Sequence, residues 1–232
     1  MKNTVLFSRI FFLIACALSV SSCIKNNNFI KGDAKIRFFQ VASTDTTQNF
    51  YLNGRQIGAS VAYNTNTSYV VIPGDSVVNI TSKNIGTGVD VASLAGQKFE
   101  IGKNYSIFYL KEAINQPAKL RVYQDDVRPD LDSARLTFLN LGYTLGSKVI
   151  ITDSTNTAKP TESLLGYGEI KSFKVKVSGI TKYAFKLSSP TATNPPPVVT
   201  RLDSTLNNGR VYLILFDGDK KGELKNRIIP AN

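Results

Sequence analysis

Phe173-Lys174-Val175-Lys176-Val177-Ser178, followed by Lys182-Tyr183-Ala184-Phe185-Lys186-Leu187, is the stretch that decides the fold. In the first run Phe173, Val175 and Val177 alternate with Lys174, Lys176 and Ser178. In the second, Tyr183, Phe185 and Leu187 alternate with Lys182, Ala184 and Lys186. Successive side chains of a strand point to opposite faces, so each run has one apolar face and one basic face. The shared parity predicts that Lys174, Lys176, Lys182 and Lys186 project together from one outer face. Such a face serves either as a solvated surface that resists edge pairing or as a patch for an anionic lipid or an acidic glycan.

Further out, the same grammar repeats. Val-, Ile-, Phe- and Tyr-rich runs recur at short spacing, with turn residues between them. Leu52-Asn53-Gly54-Arg55 is a hairpin signal, because Asn-Gly accepts the positive φ of a type I′ turn. Pro73-Gly74 and Ser178-Gly179 mark two more turns. Ser188 to Pro197 contains Pro195-Pro196-Pro197, which cannot continue a strand ladder, so an exposed loop is expected there. No long stretch after the N-terminal 22 residues has helical periodicity.

The chain is also internally repeated. Ala34-Lys-Ile-Arg-Phe-Phe-Gln-Val41 resembles Ala134-Arg-Leu-Thr-Phe-Leu-Asn-Leu141. Tyr63 to Gly74 resembles Tyr167 to Gly179. Gly102-Lys-Asn-Tyr-Ser-Ile-Phe-Tyr109 resembles Gly209-Arg-Val-Tyr-Leu-Ile-Leu-Phe216. Three matches in the same order imply two copies of one domain of about a hundred residues, an ordinary domain size. The expected fold class is all-β, with two tandem immunoglobulin-like antiparallel β-sandwich domains. The expected boundaries are 33–124 and 132–232, joined by a short charged linker over 125–131. Each copy is expected to fold alone.

The N-terminus sets location. Lys2 and Arg9 precede the apolar run Phe11-Phe12-Leu13-Ile14-Ala15-Cys16-Ala17-Leu18, which is too short to span a bilayer as a mature helix. Val20-Ser21-Ser22-Cys23 then reads as a bacterial lipoprotein signal over 1–22, with Cys23 lipidated. Residues 23–32 form a polar tether. Ile24 follows the cysteine where an inner-membrane retention signal has Asp, so the outer membrane is the expected anchor. Stable anchoring needs more than one acyl chain, which such lipoproteins carry.

Composition narrows the chemistry. Cys16 leaves with the signal and Cys23 is taken by lipid, so the mature fold has no thiol and no disulfide. The chain has no His and no Trp. No Cys/His zinc site, Ser-His-Asp triad or His general base can be assembled. Neither a catalytic residue nor a cofactor is expected, and no carboxylate pair stands out for glycoside hydrolysis. Lys and Arg number 28 against 17 acids; loss of Lys2 and Arg9 leaves 26 against 17, a net +9. Outside the cytoplasm this points away from nucleic acid and toward an anionic surface, an acidic glycan or an envelope protein partner.

The first repeat resembles a known family. Arg37-Phe-Phe-Gln-Val-Ala-Ser-Thr-Asp45, Phe50-Tyr-Leu-Asn-Gly54, Ala62-Tyr63 and Tyr69-Val-Val-Ile-Pro-Gly74 together resemble the domain of unknown function 4397. The family pattern has His or Asn where Gln40 stands and Ser-Pro-Asp where Ser43-Thr44-Asp45 stands. The resemblance implies β-sandwich repeats on secreted or lipid-anchored bacterial proteins, many from Bacteroidetes. It brings no catalytic residues.

Two sets of candidate sites remain. Asp125, Asp126, Asp130 and Asp132 cluster at the linker, and Asp217-Gly218-Asp219 forms a second acidic spot. Either supplies oxygen ligands for calcium or is an ordinary solvated turn, and the spacing is not that of an EF-hand. Asp45-Thr46, Asp75-Ser76, Asp132-Ser133, Asp153-Ser154 and Asp203-Ser204 resemble the O-glycosylation acceptor of Bacteroidetes. Thr46, Ser76, Ser133, Ser154 and Ser204 are therefore candidate acceptors, against the plainer reading that Asp-Ser and Asp-Thr are common at strand ends. The expected function is a lipid-anchored protein displaying two sandwich modules for ligand binding or adhesion. The alternative is a non-catalytic accessory subunit of an envelope complex.

Overall fold

The computed structural model describes residues 32–155, 161–177, 179–189 and 200–231. Cys23, the expected signal and most of the expected tether, Ser178, and most of the proline-rich stretch lie outside the described residues. Among the described residues the chain is all-β. The first half comprises β1 (Asp33–Gln40), β2 (Gln48–Leu52), β3 (Arg55–Val61), β4 (Val70–Pro73), β5 (Val77–Asn84), β6 (Asp90–Lys98), β7 (Asn104–Leu110) and β8 (Lys119–Asp125). The second comprises β9 (Ala134–Asn140), β10 (Val149–Asp153), β11 (Thr161–Leu165), β12 (Ile170–Val175), β13 (Ile180–Leu187), β14 (Thr200–Thr205), β15 (Val211–Gly218) and β16 (Leu224–Pro230).

Each half is a sandwich of two four-stranded sheets. In the first, β4-β1-β7-β8 faces β3-β2-β5-β6; in the second, β12-β9-β15-β16 faces β11-β10-β13-β14. Pairing is antiparallel except for β1 with β7 and β9 with β15, which run parallel. The Asn53-Gly54 turn joins β2 to β3 with φ of 48° and 81°, the left-handed pair a type I′ hairpin needs. The first core is built around Phe38, Phe50, Ile80 and Ile107, and the second around Phe138, Phe185, Ile214 and Phe216. All eight are fully buried.

The parity argument places the apolar residues correctly. Phe173, Val175, Val177, Tyr183, Phe185 and Leu187 all join the second core. The four lysines, however, do not form one face. β12 and β13 belong to opposite sheets of the sandwich, because the chain crosses from one layer to the other between them. Lys174 and Lys176 therefore lie on the side of one sheet, and Lys182 and Lys186 on that of the other. Lys174 Nζ is 2.7 Å from Asp130, and Lys186 Nζ is 3.6 Å from Glu162. Equal parity unites two strands on one face only when they are hydrogen-bonded in one sheet.

The two sandwiches also share an apolar layer. Phe39, Val41, Phe108 and Leu110 of the first meet Leu139, Leu141, Leu213, Leu215 and Ile229 of the second, with Tyr123 packed against them. Residues from Gly32 onward form one compact unit. The sheets β4-β1-β7-β8 and β12-β9-β15-β16 are thus covered on both sides. This explains why their central strands do not alternate: β15 is buried at every position.

Candidate functional site

The shared layer obeys a pseudo-twofold relation set by the sequence repeat. Phe39 corresponds to Leu139, Val41 to Leu141, Phe108 to Leu215 and Tyr123 to Ile229, and all eight sit in the layer. At one end Tyr63 donates from its hydroxyl to the Gly218 carbonyl at 3.1 Å. Its counterpart Tyr167 donates to the Lys111 carbonyl at 2.7 Å, and Lys111 corresponds to Gly218. Each tyrosine reaches across to the other sandwich. Burial of both phenols raises their pKa, that of Tyr167 to about 12, so both remain donors at any physiological pH.

Charge is distributed unequally about this axis. Asp217, fully buried on β15, takes the place of Leu110 and faces Arg227 at 3.3 Å. Arg121, the counterpart of Arg227, is held by Glu112 at 2.7 Å. Burial pushes the Asp217 carboxyl up to about 6, although the Arg227 guanidinium pulls the other way. The folded chain then binds a proton there that the unfolded chain has lost above about pH 4. Stability contributed by this group should fall by about 3 kcal/mol as pH rises from about 4 to about 6. Asp217→Asn should flatten that window in urea titrations at stepped pH; an unchanged slope would discount the group. Asp126, held down at about 2 chiefly by the Arg128 hydrogen bond, acts only below this window.

At the other end of the layer lies Arg37, only 2% exposed. Its Nε donates to Ser106 Oγ at 2.9 Å and its Nη1 to the Pro230 carbonyl at 3.0 Å, the latter across the layer. Nη2 is 3.5 Å from Asp125. The guanidinium lies 4.6 Å from the Tyr69 ring centroid and 5.1 Å from that of Phe39. Asp125 also accepts from Tyr69 at 2.5 Å and from Ser106 at 2.8 Å. Stacking, two acceptors and a nearby carboxylate offset most of the cost of burying this cation, although Nη2 itself makes no hydrogen bond.

These partners remove the linker aspartates from the calcium reading. Asp125 is committed to Arg37, Ser106 and Tyr69; Asp126 pairs with Arg128 and Arg135; Asp130 pairs with Lys174. Among the described residues no three acidic side chains are grouped to hold an ion. Asp219 accepts from the backbone N–H of Lys221 at 2.8 Å and of Glu223 at 3.0 Å, which makes it a turn residue. Of the candidate acceptor hydroxyls, Thr46 and Ser76 are exposed, and Ser154 and Ser204 are partly buried. Ser133 is 7% exposed, packed where the linker enters β9, so the folded chain does not present it for modification.

Sequence reasoning missed the shared layer and Arg37. A signal for both was present: Phe38-Phe39 and Ile107-Phe108-Tyr109-Leu110 break the period of two, as strands buried on both faces do. Gln40 was noted only as a departure from a family pattern. It is fully buried, and its Nε2 donates to the Ala42 carbonyl at 3.0 Å, tying the turn after β1. Asn140 does the same after β9, accepting from the Gly142 N–H at 3.0 Å.

No curated protein matches the chain. Residues 34–147 match the family described as a domain of unknown function, DUF4397. The matched stretch holds every strand of the first sandwich and β9 of the second, and so both partners of the Phe39–Leu139 relation. Through residues 34–147 the chain belongs to the DUF4397 family.

Proposed function

We propose that this protein is a lipid-anchored envelope protein in which two sandwiches, fused through one apolar layer, act as a single rigid module for binding or adhesion at the outer membrane. The reading draws its anchor from Cys23 and its binding surface from the turns. The described chain enters at Gly32, beside the start of β1. The turns after β1, β5 and β7 lie at the opposite end of the first sandwich, because β1 and β7 run parallel and β5 ends beside the start of β2. That end carries the observation with most weight: Ile85, Val89 and Ile114 are 51%, 59% and 62% exposed there. Ile85 and Val89 belong to one turn between β5 and β6, and loops held on a rigid scaffold carry binding residues disproportionately.

Two measurements test the reading. Cys23→Ala should abolish incorporation of a fatty-acid analogue and leave the precursor uncleaved. Equal label on both forms would remove the anchor. Ile85→Glu with Val89→Glu should abolish crosslinked products formed in intact cells while leaving the melting temperature within about 2–4 °C, as for surface substitutions. Identical crosslinking patterns would remove the turns as the binding surface.

A further inference from the structure

The pseudo-twofold axis is broken at one place, and a cavity results. On the first sandwich Arg37 and Tyr69 project into the layer and fill it against Pro230. Their counterparts on the second sandwich are Thr137 and Ser172, neighbours across β9 and β12 whose hydroxyls lie 3.0 Å apart. These short side chains leave a cavity of about 80 Å³ between the sheets. Phe108, Tyr123, Leu139, Ile170 and Leu213 wall it, and the carboxylates Asp125 and Asp126 line it too, Asp125 being committed to Arg37. Phe108 and Tyr123 meet edge to face at 5.5 Å between ring centroids.

We propose that this cavity binds a guanidinium carried on a short aliphatic chain. The mirrored position is the argument: there the same fold seats Arg37 over the rings of Tyr69 and Phe39, with a carboxylate beside it. The cavity offers the equivalent elements from the opposite sandwich, namely two aromatic rings, apolar walls for methylenes and a carboxylate. Asp126 is bound to Arg135 from inside and to Arg128 from outside. Arg128 is 83% exposed and holds Asp126 through two hydrogen bonds of 2.8 Å, so an incoming guanidinium takes its place like for like, which a calcium ion cannot do. This site lies at the end near Gly32, apart from the turns of the proposed binding surface, and stands independently of that reading.

The probes are n-butylguanidinium, its neutral isostere n-butylurea, and the blocked tripeptide Gly-Arg-Gly, followed by amide chemical shifts of residues 32–232. Expected are shifts confined to amides around Phe108, Tyr123, Asp126, Thr137 and Ser172, with n-butylurea at least about tenfold weaker, since only the cation is attracted by the aromatic rings and the carboxylate. Response to the tripeptide would identify an arginine of a partner as the source, and response to n-butylguanidinium alone a free small cation. Thr137→Arg with Ser172→Tyr rebuilds the filled half, and should abolish binding with the fold intact. Ser172→Phe closes the cavity from one side alone and should do the same if the double variant misfolds. Absence of localised shifts in the wild type, equal affinity for n-butylurea, or binding that survives a folded cavity-filling variant would each overturn the proposal.

Discussion

Phe108→Ala should cost the whole chain about 3–5 kcal/mol, the usual loss for a buried phenylalanine whose site cannot collapse. Phe108 is fully buried, stacked on Phe39 at 4.6 Å and edge-on to Tyr123. Its position in the layer makes the prediction specific. In a fragment of residues 32–125, Phe39, Val41, Phe108, Leu110 and Tyr123 would face water, an apolar patch that soluble monomers avoid. The fragment should therefore self-associate or lose its cooperative transition, and Phe108→Ala should improve its solubility while destabilising the parent. Sedimentation velocity and urea midpoints on both forms check this. A monomeric fragment as stable as the parent would show that the layer contributes little.

Asp125→Ala should be nearly as damaging, by about 3–5 kcal/mol, because it leaves the Arg37 guanidinium buried without its countercharge. The carboxylate also accepts from Tyr69 and Ser106, so three donors lose a partner at once. Replacing both charges tells cost from net worth. Arg37→Met with Asp125→Leu should recover most of the loss, since a buried pair is often matched by apolar residues of similar volume. A double variant no better than Asp125→Ala would mean that Arg37 holds the Pro230 carbonyl for more than charge balance.

Much of the fold was legible because its signals are local. The Asn53-Gly54 hairpin follows from the φ tolerance of two residues. The alternation of Phe173, Val175 and Val177 follows from burial on one side. The repeat between Ala34–Val41 and Ala134–Leu141 needs only the sequence. What was not legible depends on which strands pair. The four lysines share parity but occupy opposite sheets, and no periodicity within a strand reveals a crossing between layers. The shared layer was hidden for a related reason. A run such as Val211-Tyr-Leu-Ile-Leu-Phe216 says that both faces are buried, yet not what buries the second. The linker aspartates read as spare oxygen ligands in sequence, whereas the fold brings Arg37, Arg135 and Lys174 to them from distant positions.

The central claim is that the two copies are one cooperative unit held by the Phe39–Leu139 layer. Native-state hydrogen exchange in increasing urea on residues 32–232 tests it most directly, because amides report the free energy of the opening that exposes them. The account predicts that amides of β1 and β7 and those of β9 and β15 converge on one opening free energy, with a urea dependence matching exposure of both sandwiches together. Exchange of one copy's core strands through an opening that leaves the other copy protected would contradict it.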